Sequence, residues 1–309
     1  MILKEHITEQ LKNITDPANI LVNEDMSAHT TFRIGGCADV FVTPQSMKEA
    51  ADIVRLLLAN DEPYTVIGNG SNILVSDKGY RGCIVCMGHG MDHIKTDGTA
   101  ITAGAGAILS KVAYAAYENG LGGLEFASGI PGSVGGAIVM NAGAYGGEMK
   151  DVTVSVTVLD AKSGNIITIP GKDMRFGYRT SVIKEYPYIV LEASFELLQK
   201  DREQIKTVMD DLAAKRRSKQ PLEYPSAGST FKRPEGYFAG KLIEDAGLKG
   251  FTVGGAMVSE KHSGFVINSG GATAGDVMEL IRTVRRTVYD KFEVMLEPEV
   301  VMLGEDIKL

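Results

Sequence analysis

The stretch "GIPGSVGGAIVMNAGAYGG", residues 129–147, places seven glycines among nineteen residues and contains no charged side chain. Glycine inside a helix or strand costs about 0.5–1 kcal/mol relative to alanine, so this density needs a physical reason. Two interpretations are open at this point. The backbone either makes several tight turns or lies directly against a bulky ligand that a Cβ atom would displace.

A second glycine-rich loop, "VIGNGSN" at residues 66–72, follows a short β-branched run. Successive backbone N–H groups in such a turn can form a concave anion site, to which Ser and Asn side chains add donors. Neither loop carries the dinucleotide fingerprint G-x-G-x-x-G or the phosphate-binding G-x-x-x-x-G-K-[ST]. Two such loops beside α/β units therefore favour a flavin nucleotide over NAD(P) bound alone.

Composition excludes several classes of function. The chain has 309 residues, a net charge of −7 and no basic run longer than "KRR" at residues 215–217. Binding to nucleic acid needs many clustered Lys and Arg, so we expect no nucleic-acid partner. No run of about 18 apolar residues occurs, and we therefore expect no membrane partner. The length is typical of two or three modest domains.

The cysteines and histidines give no sign of metal binding. Cys83 and Cys86 form a lone C-x-x-C pair, which a strand would point to opposite faces, so we expect them to be packed. The five histidines lack metal-ligand spacing, and the predicted metal content is none. The first residues, "MILKEHITEQLKNI", contain acids and no apolar core of signal-peptide length. Together with the sparse cysteines, this favours a cytoplasmic protein.

The first part of the chain shows an α/β pattern. Residues 37–44 predict a strand, and Ser46 with Glu49 predicts a capping box at the start of a helix. The strands "YTVIG" and "ILVS" follow on either side of "NGSN", which gives β-α-β order. A further helix, "ILSKVAYAAYENG", is expected to end at Gly120.

The middle part shows a strand pattern. Residues 151–160 alternate, which predicts one buried face formed by four valines: Val152, Val154, Val156 and Val158. The runs "IITIP" and "YIVLEASFEL" predict two more strands, so we expect an antiparallel sheet with one buried face.

The last part begins near residue 200. Its first helix is predicted to bury one face, formed by Ile205, Val208, Met209 and Leu212. The runs "VGGAMVS", "GFVINSG" and "EPEVVML" predict strands, and a long helix is expected from about Thr273. The predicted fold class is α+β.

Eight segments in order resemble one known family: "TTFRIGGCADVFV", "VIGNGSNILVSDKGYRG", "LEFASGIPGSVGGAIVMNAGAYGGE", "FGYRTS", "SAGSTFKRP", "AGKLIEDAGLKG", "VGGAMVSEKHSGFVIN" and "LEPEVVML". The resemblance, from about residue 27 to 303, is to the UDP-N-acetylenolpyruvoylglucosamine reductase family of bacterial peptidoglycan synthesis. It implies a two-lobed FAD-binding unit of the vanillyl-alcohol-oxidase type, with lobes at 1–100 and 101–205. A compact α+β substrate-binding domain would follow at 206–309.

The resemblance also implies which residues bind the cofactor. It places FAD contacts on both glycine-rich loops, at Gly68, Asn69, Gly70, Ser71, Asn72, Gly129, Ile130, Gly132, Ser133, Gly135, Asn141, Ala142 and Gly143. No histidine or cysteine stands where a covalent flavin link is expected, so the FAD is expected to be noncovalent.

The reaction implied is reduction of the enolpyruvyl group of UDP-N-acetylglucosamine enolpyruvate, with NADPH as hydride donor. Ser229 matches the family's proton donor, and a placed general acid contributes about 10²–10⁴-fold. Arg179 and Glu299 match the other catalytic positions. The planar guanidinium of arginine suits the charge that builds up at the substrate carboxylate.

Further matches are to substrate-binding positions: Lys219, Lys249, His262, Arg233 and Tyr178. Relatives often carry Asn where this chain has Arg233. Only 39 residues lie between Arg179 and Lys219, so the resemblance is to the shorter type without an extra tyrosine-bearing loop. We expect a monomer. The alternatives are another flavin oxidoreductase of the same fold and a catalytically idle nucleotide-sugar sensor. The joint presence of Ser229, Arg179 and Glu299 argues against both.

Overall fold

The computed structural model describes residues 2–307, with side chains from residue 5 onward. Seven α-helices lie in this part of the chain: α1 Ile2–Leu11, α2 Met47–Ala59, α3 Leu109–Glu118, α4 Val134–Met140, α5 Arg202–Lys219, α6 Ala239–Asp245 and α7 Ala274–Phe292. The strands of the same residues are β1 Ile20–Asp25, β2 Cys37–Val42, β3 Tyr64–Ile67, β4 Ile73–Val75, β5 Tyr80–Cys86, β6 Ile94–Asp97, β7 Ala100–Gly104, β8 Leu121–Gly122, β9 Gly143–Ala144, β10 Gly147–Glu148, β11 Thr153–Asp160, β12 Asn165–Pro170, β13 Tyr188–Glu196, β14 Leu198–Gln199, β15 Thr252–Val253, β16 Ala256–Val258, β17 Val266–Asn268 and β18 Val301–Leu303.

The chain divides into two compact units whose members are not contiguous in sequence. Among the described residues, the first unit contains 2–22, 40–69 and 82–215, and the second contains 23–39, 70–81 and 216–307. The division thus falls inside α5, at 215/216, whereas the sequence predicted 205/206. The two short segments 23–39 and 70–81 were expected in the first lobe. They belong to the second unit because their apolar residues, Phe32, Ile34 and Leu74, join its core.

The largest sheet of the first unit is antiparallel and has the order β12-β11-β13-β7-β6. This confirms the antiparallel sheet predicted for the middle part. Val156 and Val158 are fully buried, but Val154 is 51% exposed. The prediction of four valines on one face was wrong at Val154, because the register between β11 and β13 shifts between Thr153 and Ser155. Such a bulge reverses the alternation of faces.

The helices of the first unit mostly match their predicted ends. The Ser46 hydroxyl accepts a hydrogen bond from the Glu49 N–H at 3.1 Å, as an N-cap should. The Glu49 carboxylate accepts from the Gln45 N–H at 3.0 Å instead of completing a capping box with Ser46. Gly120 follows α3 with a φ of +67°, in agreement with the predicted glycine stop. The buried face predicted for α5 is wrong for Val208, which is 38% exposed, and only Ile205 of that set is buried.

Strand β4 was expected to continue the β-α-β unit, and this prediction was wrong. It pairs in parallel with β18, with Ile73 opposite Val301. Within the second unit, α7 begins after a capping box of Thr273 and Asp276. Its apolar stripe is buried as predicted, at Val277, Leu280, Ile281, Val284 and Val288. None of the helices in residues 2–307 is both long and apolar enough to cross a membrane.

The lone C-x-x-C pair lies on β5, as the sequence predicted. Cys83 is fully buried, and burial raises the pKa of its thiol to about 12. Burial likewise raises the pKa of Cys86 to about 11. Both thiols are therefore protonated at neutral pH and belong to the packing of the first unit.

Candidate active site

The first half of the loop after β3 contacts the second glycine-rich loop within the first unit. A Cβ atom on Gly68 would lie 2.0 Å from the Ser133 hydroxyl, so only glycine allows this approach. Asn69 donates a side-chain hydrogen bond to the Pro131 carbonyl. The sequence predicted both loops as FAD-binding, and the structure brings Gly68 and Asn69 together with Ser133.

The Ser133 side chain is the strongest sign of a ligand in the first unit. It is 2% exposed, and its hydroxyl has no hydrogen-bond partner among the described residues. It also makes no capping bond to α4, although it stands at the N-cap position. A buried hydroxyl without a partner costs about 1–3 kcal/mol. Bare backbone beside an unpaired hydroxyl fits the polar groups of a nucleotide cofactor such as FAD.

The second half of the same loop lies in the second unit. Gly70 has a φ of +60°, and a Cβ there would lie 2.0 Å from the His29 carbonyl oxygen. Ser71 is half-buried. Asn72 donates its side-chain amide to the Glu299 carbonyl at 3.1 Å, and its own carbonyl accepts from the Val301 N–H at 2.9 Å. The Asn72 side chain therefore holds the segment just before β18, which contains Glu299.

The remaining predicted FAD residues lie along the turns around α4. Gly132 accepts a backbone bond from Leu109, and Gly135 donates one to Ala105 at 2.8 Å. Gly129 is exposed, whereas Ile130, Ala142 and Gly143 are half-buried. The glycines among these residues allow tight backbone contacts within the protein, in addition to any contact with a ligand.

Asn141 differs from the other predicted FAD residues, because its side chain is 1% exposed and fully used inside the protein. Its amide group donates to the Glu148 carboxylate at 2.9 Å and to the Gly177 carbonyl at 3.0 Å. Its side-chain oxygen accepts from the Lys150 N–H at 2.9 Å. The hydrogen-bonding groups of the Asn141 side chain therefore serve the protein itself, and the contact of this residue with FAD stays a prediction.

Ser229 is exposed and lies between two buried residues of the second unit, Ala227 and Thr230. The Thr230 N–H donates to the Gly264 carbonyl at 2.9 Å, and the Thr230 hydroxyl accepts from the Val266 N–H at 2.9 Å. This segment is therefore fixed against the loop and strand at 264–266 while the Ser229 hydroxyl remains accessible.

Glu299 lies beside the Ser229 segment. The Glu299 N–H donates to the Thr230 carbonyl at 2.8 Å, and Phe231 and Pro298 form an antiparallel bridge. The Lys232 N–H also donates to the Glu297 carbonyl at 2.8 Å. This short ladder brings the backbones of two of the three predicted catalytic residues together. Glu299 itself is half-buried.

Arg179 lies in the first unit on a tight turn. The Gly177 N–H donates to the Thr180 carbonyl at 3.1 Å, and Arg179 has a φ of +57°. Its guanidinium lies 5.0 Å from the centre of the ring of Tyr178, which is 51% exposed. Lys184 donates to the Arg179 carbonyl at 2.9 Å. The arginine and the tyrosine predicted to bind substrate are therefore neighbours on one turn.

Three predicted substrate-binding residues lie near one another in the second unit: Lys249 and His262 are close to Glu244, and Lys219 is close to His262. Lys249 lies 3.5 Å from the Glu244 carboxylate. Burial lowers the pKa of His262, with a further lowering by the charge of Lys219, while Glu244 acts in the opposite direction. The His262 ring is half-buried, and its Nδ1 accepts from the Gly264 N–H at 3.1 Å. The neutral ring thus carries its proton on Nε2.

Arg233 takes part in a different contact. Its guanidinium lies 4.0 Å from the centre of the Phe238 ring, which is 62% exposed, and its Nε donates to the Tyr237 carbonyl. An arginine over an exposed aromatic ring forms a cation–π pair. The structure therefore places the Arg233 side chain against the Phe238 ring and the Tyr237 carbonyl.

Sequence reasoning missed three residues of this arrangement: Thr230, Glu148 and Glu244. Thr230 adjoins Ser229, but its buried hydroxyl bond has no signature in the sequence. Glu148 directly follows the glycine-rich stretch and is the first charged residue after it, which was an available signal. Glu244 lies on the short helix α6 between two predicted substrate-binding residues and could have been suspected as their counter-charge.

Comparisons with known proteins agree with these features. A family model described as "UDP-N-acetylenolpyruvoylglucosamine reductase, C-terminal domain" matches residues 220–303, and one described as "FAD binding domain" matches residues 38–170. A relative from Agathobacter rectalis, named UDP-N-acetylenolpyruvoylglucosamine reductase, is 55% identical over 97% of this chain and 97% of its own length. One of the same name from Clostridioides difficile is 50% identical over 96% and 97%.

A solved structure is similar over most of its length. The crystal structure of UDP-N-acetylenolpyruvylglucosamine reductase from Thermus caldophilus matches with a TM-score of 0.80 and 35% identity. It covers 92% of this chain and 98% of that chain. The predicted α+β fold, with an FAD-binding unit followed by a domain of the reductase type, is confirmed by these matches.

Proposed function

Since the chain belongs to the UDP-N-acetylenolpyruvoylglucosamine reductase family, we propose that Ser229, Glu299 and Arg179 carry out the reduction that defines it. The protein is an FAD-containing oxidoreductase of peptidoglycan precursor synthesis. Its substrates are NADPH and UDP-N-acetylglucosamine enolpyruvate, which it reduces to UDP-N-acetylmuramate. When bound, FAD supplies hydride transfer from NADPH to the enolpyruvyl double bond. The proposal concerns which side chains of this chain serve that chemistry.

The FAD contacts are assigned to the loops that lie together in the first unit, Gly68 and Asn69 against residues 131–133. The unpaired, buried hydroxyl of Ser133 supports this assignment. Gly70 and Ser71 are assigned to FAD from the resemblance alone. For Asn141 and Asn72 the assignment moves from cofactor contact to support of the surrounding backbone, because their side-chain amides bond within the protein.

The observation that carries the catalytic proposal is the ladder between Thr230 and Glu299. It fixes the backbones of Ser229 and Glu299 side by side while the Ser229 hydroxyl stays exposed. Negative charge develops at the substrate carbon next to the carboxylate, and Ser229 delivers a proton there. The enolate carbon is a strong base, so even a weakly acidic hydroxyl can donate to it. Glu299 orients the groups around that carboxylate.

Arg179 is assigned to the substrate carboxylate, since a guanidinium can donate two parallel hydrogen bonds to it. Lys219, Lys249 and His262 are assigned to the diphosphate and uridine side, where two negative charges need cationic partners. Arg233 and Tyr178 are assigned to the edge of the substrate site. We further propose that the protein is cytoplasmic and monomeric.

The test is anaerobic stopped-flow spectroscopy of the two half-reactions, with purified holoenzyme. We expect NADPH to bleach the flavin absorbance and the enolpyruvyl nucleotide sugar to restore it. The Ser229→Ala variant should keep flavin reduction within about twofold while slowing reoxidation by substrate about 10²–10⁴-fold. Equal slowing of both half-reactions would show that Ser229 is not the acid. A reduced flavin that dioxygen reoxidises but the enolpyruvyl nucleotide sugar does not would contradict the proposed function.

A further inference from the structure

The buried side chain of Asn141 holds the turn that carries Arg179 to the end of the glycine-rich stretch. Gly177 and Thr180 close the turn, and Arg179 occupies its left-handed position with a φ of +57°. The Gly177 carbonyl accepts a hydrogen bond from the Asn141 side chain at 3.0 Å. A non-glycine residue in this conformation is strained, so the surrounding bonds must maintain it.

Asn141 makes its other bonds to the loop at 148–150. Its second amide hydrogen goes to the Glu148 carboxylate at 2.9 Å, and its oxygen accepts from the Lys150 N–H at 2.9 Å. The residue is itself left-handed, with a φ of 43°, and is 1% exposed. Asn tolerates this backbone conformation better than most residues. One side chain therefore connects the Arg179 turn to Glu148.

Glu148 supplies a negative charge near the arginine. Its carboxylate accepts from the Lys150 ammonium at 2.8 Å, and this bond is the main cause that lowers the pKa of Glu148. The Asn141 bond and the positive charge of Arg179 lower it further. Glu148 is therefore ionised at neutral pH, and the interaction with Arg179 is attractive.

We propose that Asn141 and Glu148 are positioning residues for Arg179: Asn141 fixes the turn, and the Glu148 carboxylate holds the Asn141 side chain in place by the 2.9 Å hydrogen bond that it accepts. This inference rests on the proposed contact between Arg179 and the carboxylate of the substrate. It assigns to the end of the glycine-rich stretch a second task, separate from cofactor contact.

The variants separate backbone shape from side-chain bonding. Asn141→Gly keeps the left-handed backbone accessible but removes all three side-chain bonds. Glu148→Gln keeps an acceptor for Asn141 and removes the charge. The matched control is Glu185→Gln, because Glu185 forms an ion pair with Arg175 at 2.7 Å on the same segment and is partly exposed. FAD content and the thermal midpoint of each holoenzyme are measured first.

Two nucleotide sugars serve as probes of the oxidised holoenzyme by isothermal titration calorimetry. UDP-N-acetylmuramate carries the carboxylate, and UDP-N-acetylglucosamine lacks it. We expect Asn141→Gly and Glu148→Gln to weaken binding of the first about 5- to 30-fold, the equivalent of one or two kcal/mol. Binding of the second should stay within about twofold, and Glu185→Gln should change neither affinity.

Comparison with Arg179→Ala distinguishes the failure of this inference from that of the proposed function. If Arg179→Ala binds both ligands like the wild type, the proposed carboxylate role is wrong and the inference falls with it. If Arg179→Ala weakens the carboxylate ligand while Glu148→Gln does not, the positioning role alone is overturned. Equal weakening of both ligands in Glu148→Gln would also overturn it, and this variant decides the matter even if Asn141→Gly does not fold.

Discussion

The Ser229 segment and the Arg179 turn are held in place by different kinds of hydrogen bond. Main-chain hydrogen bonds hold Thr230, the residue after Ser229: its N–H donates to the Gly264 carbonyl at 2.9 Å, and its carbonyl accepts from the Glu299 N–H at 2.8 Å. The Arg179 turn closes on itself through Gly177 and Thr180, but side chains attach it to its surroundings: Asn141, Lys184 and Ser181, the last by a 3.0 Å bond to the Val139 carbonyl.

This difference determines which substitutions each region tolerates. A backbone ladder does not depend on the identity of most side chains that it carries, since every non-proline residue brings the same donor and acceptor. A turn anchored by side chains loses an anchor with each single substitution. We therefore expect the Ser229 segment to resist substitution except at its one buried side-chain bond, and the Arg179 turn to respond at several positions.

The largest effect is expected at that one exception. Thr230→Val keeps the shape of the side chain but leaves the buried Val266 N–H without its acceptor. Losing such a partner costs about 1–3 kcal/mol, so the free energy of unfolding of the holoenzyme should fall by that amount. Urea denaturation followed by circular dichroism measures it.

The matched control for Thr230→Val is Thr207→Val. The Thr207 hydroxyl donates to the Glu203 carbonyl on the exposed side of α5, so its loss should change the free energy of unfolding by less than about 0.5 kcal/mol. If Thr230→Val lowered the free energy of unfolding as little as this control, the main-chain hydrogen bonds alone would hold the Ser229 segment. The expected sensitivity of the segment at the Thr230 side chain would then be wrong.

A smaller effect is expected at the Arg179 turn. Lys184→Met keeps most of the apolar stem and removes the bond to the Arg179 carbonyl, which is 2.9 Å long and lies at the surface. One net hydrogen bond is modest, so the affinity for UDP-N-acetylmuramate should fall only about threefold. Calorimetric titration measures this, with exposed Lys172→Met as the control for charge.

An unchanged affinity in Lys184→Met would show that the turn does not depend on this anchor. The side-chain anchors of the turn would then be Asn141 and Ser181, which are both buried, and the two regions would differ less than their hydrogen bonds indicate. A loss confined to the carboxylate ligand would instead support the view that side chains set the turn.

The sequence predicted individual helices and strands well, but it predicted poorly which of them pair with one another. The predicted start of helix α7 and its predicted buried stripe were correct, because helix caps and amphipathic periodicity are local features of the sequence. Strand β4 was recognised as a strand, but its pairing with β18 joins residues more than two hundred positions apart. Nothing in "ILVS" encodes which strand lies beside it, and the same limit explains why the packing of segments 23–39 and 70–81 with the second unit was not predicted.

The candidate site shows the same division between local and distant information. The glycines of residues 129–147 predicted close approach of bare backbone, and Gly147 shows one, because a Cβ there would lie 2.6 Å from the Phe126 ring. The task of Asn141 could not be read from the sequence, because its partners at Glu148 and Gly177 depend on how two loops meet. Motif resemblance pointed to Asn141 as an FAD contact, which stays a prediction, and gave no sign of the three side-chain bonds that the structure shows.

The smallest expected effect concerns a titratable anchor of the Ser229 segment. The Gly264 carbonyl accepts from the Thr230 N–H, and the Gly264 N–H donates to Nδ1 of His262. The His262 side chain therefore stabilises the residue that holds Thr230. Burial lowers the pKa of His262 below its ordinary value of 6.5. Protonation at Nδ1 would direct a hydrogen at the Gly264 N–H and remove this bond.

The sign of the pH dependence follows from that lowered pKa. The unfolded chain binds a proton at His262 near pH 6.5 and the folded chain resists it, so the free energy of unfolding should fall as the pH drops below 6.5. In His262→Gln this part of the slope should disappear, whereas exposed His89→Gln should keep it. Urea denaturation between pH 8 and pH 5 measures the slope. An identical slope in His262→Gln would mean that His262 does not support the main-chain hydrogen bonds beside Ser229. The Ser229 segment would then depend on side chains less than proposed, and the difference from the Arg179 turn would be larger.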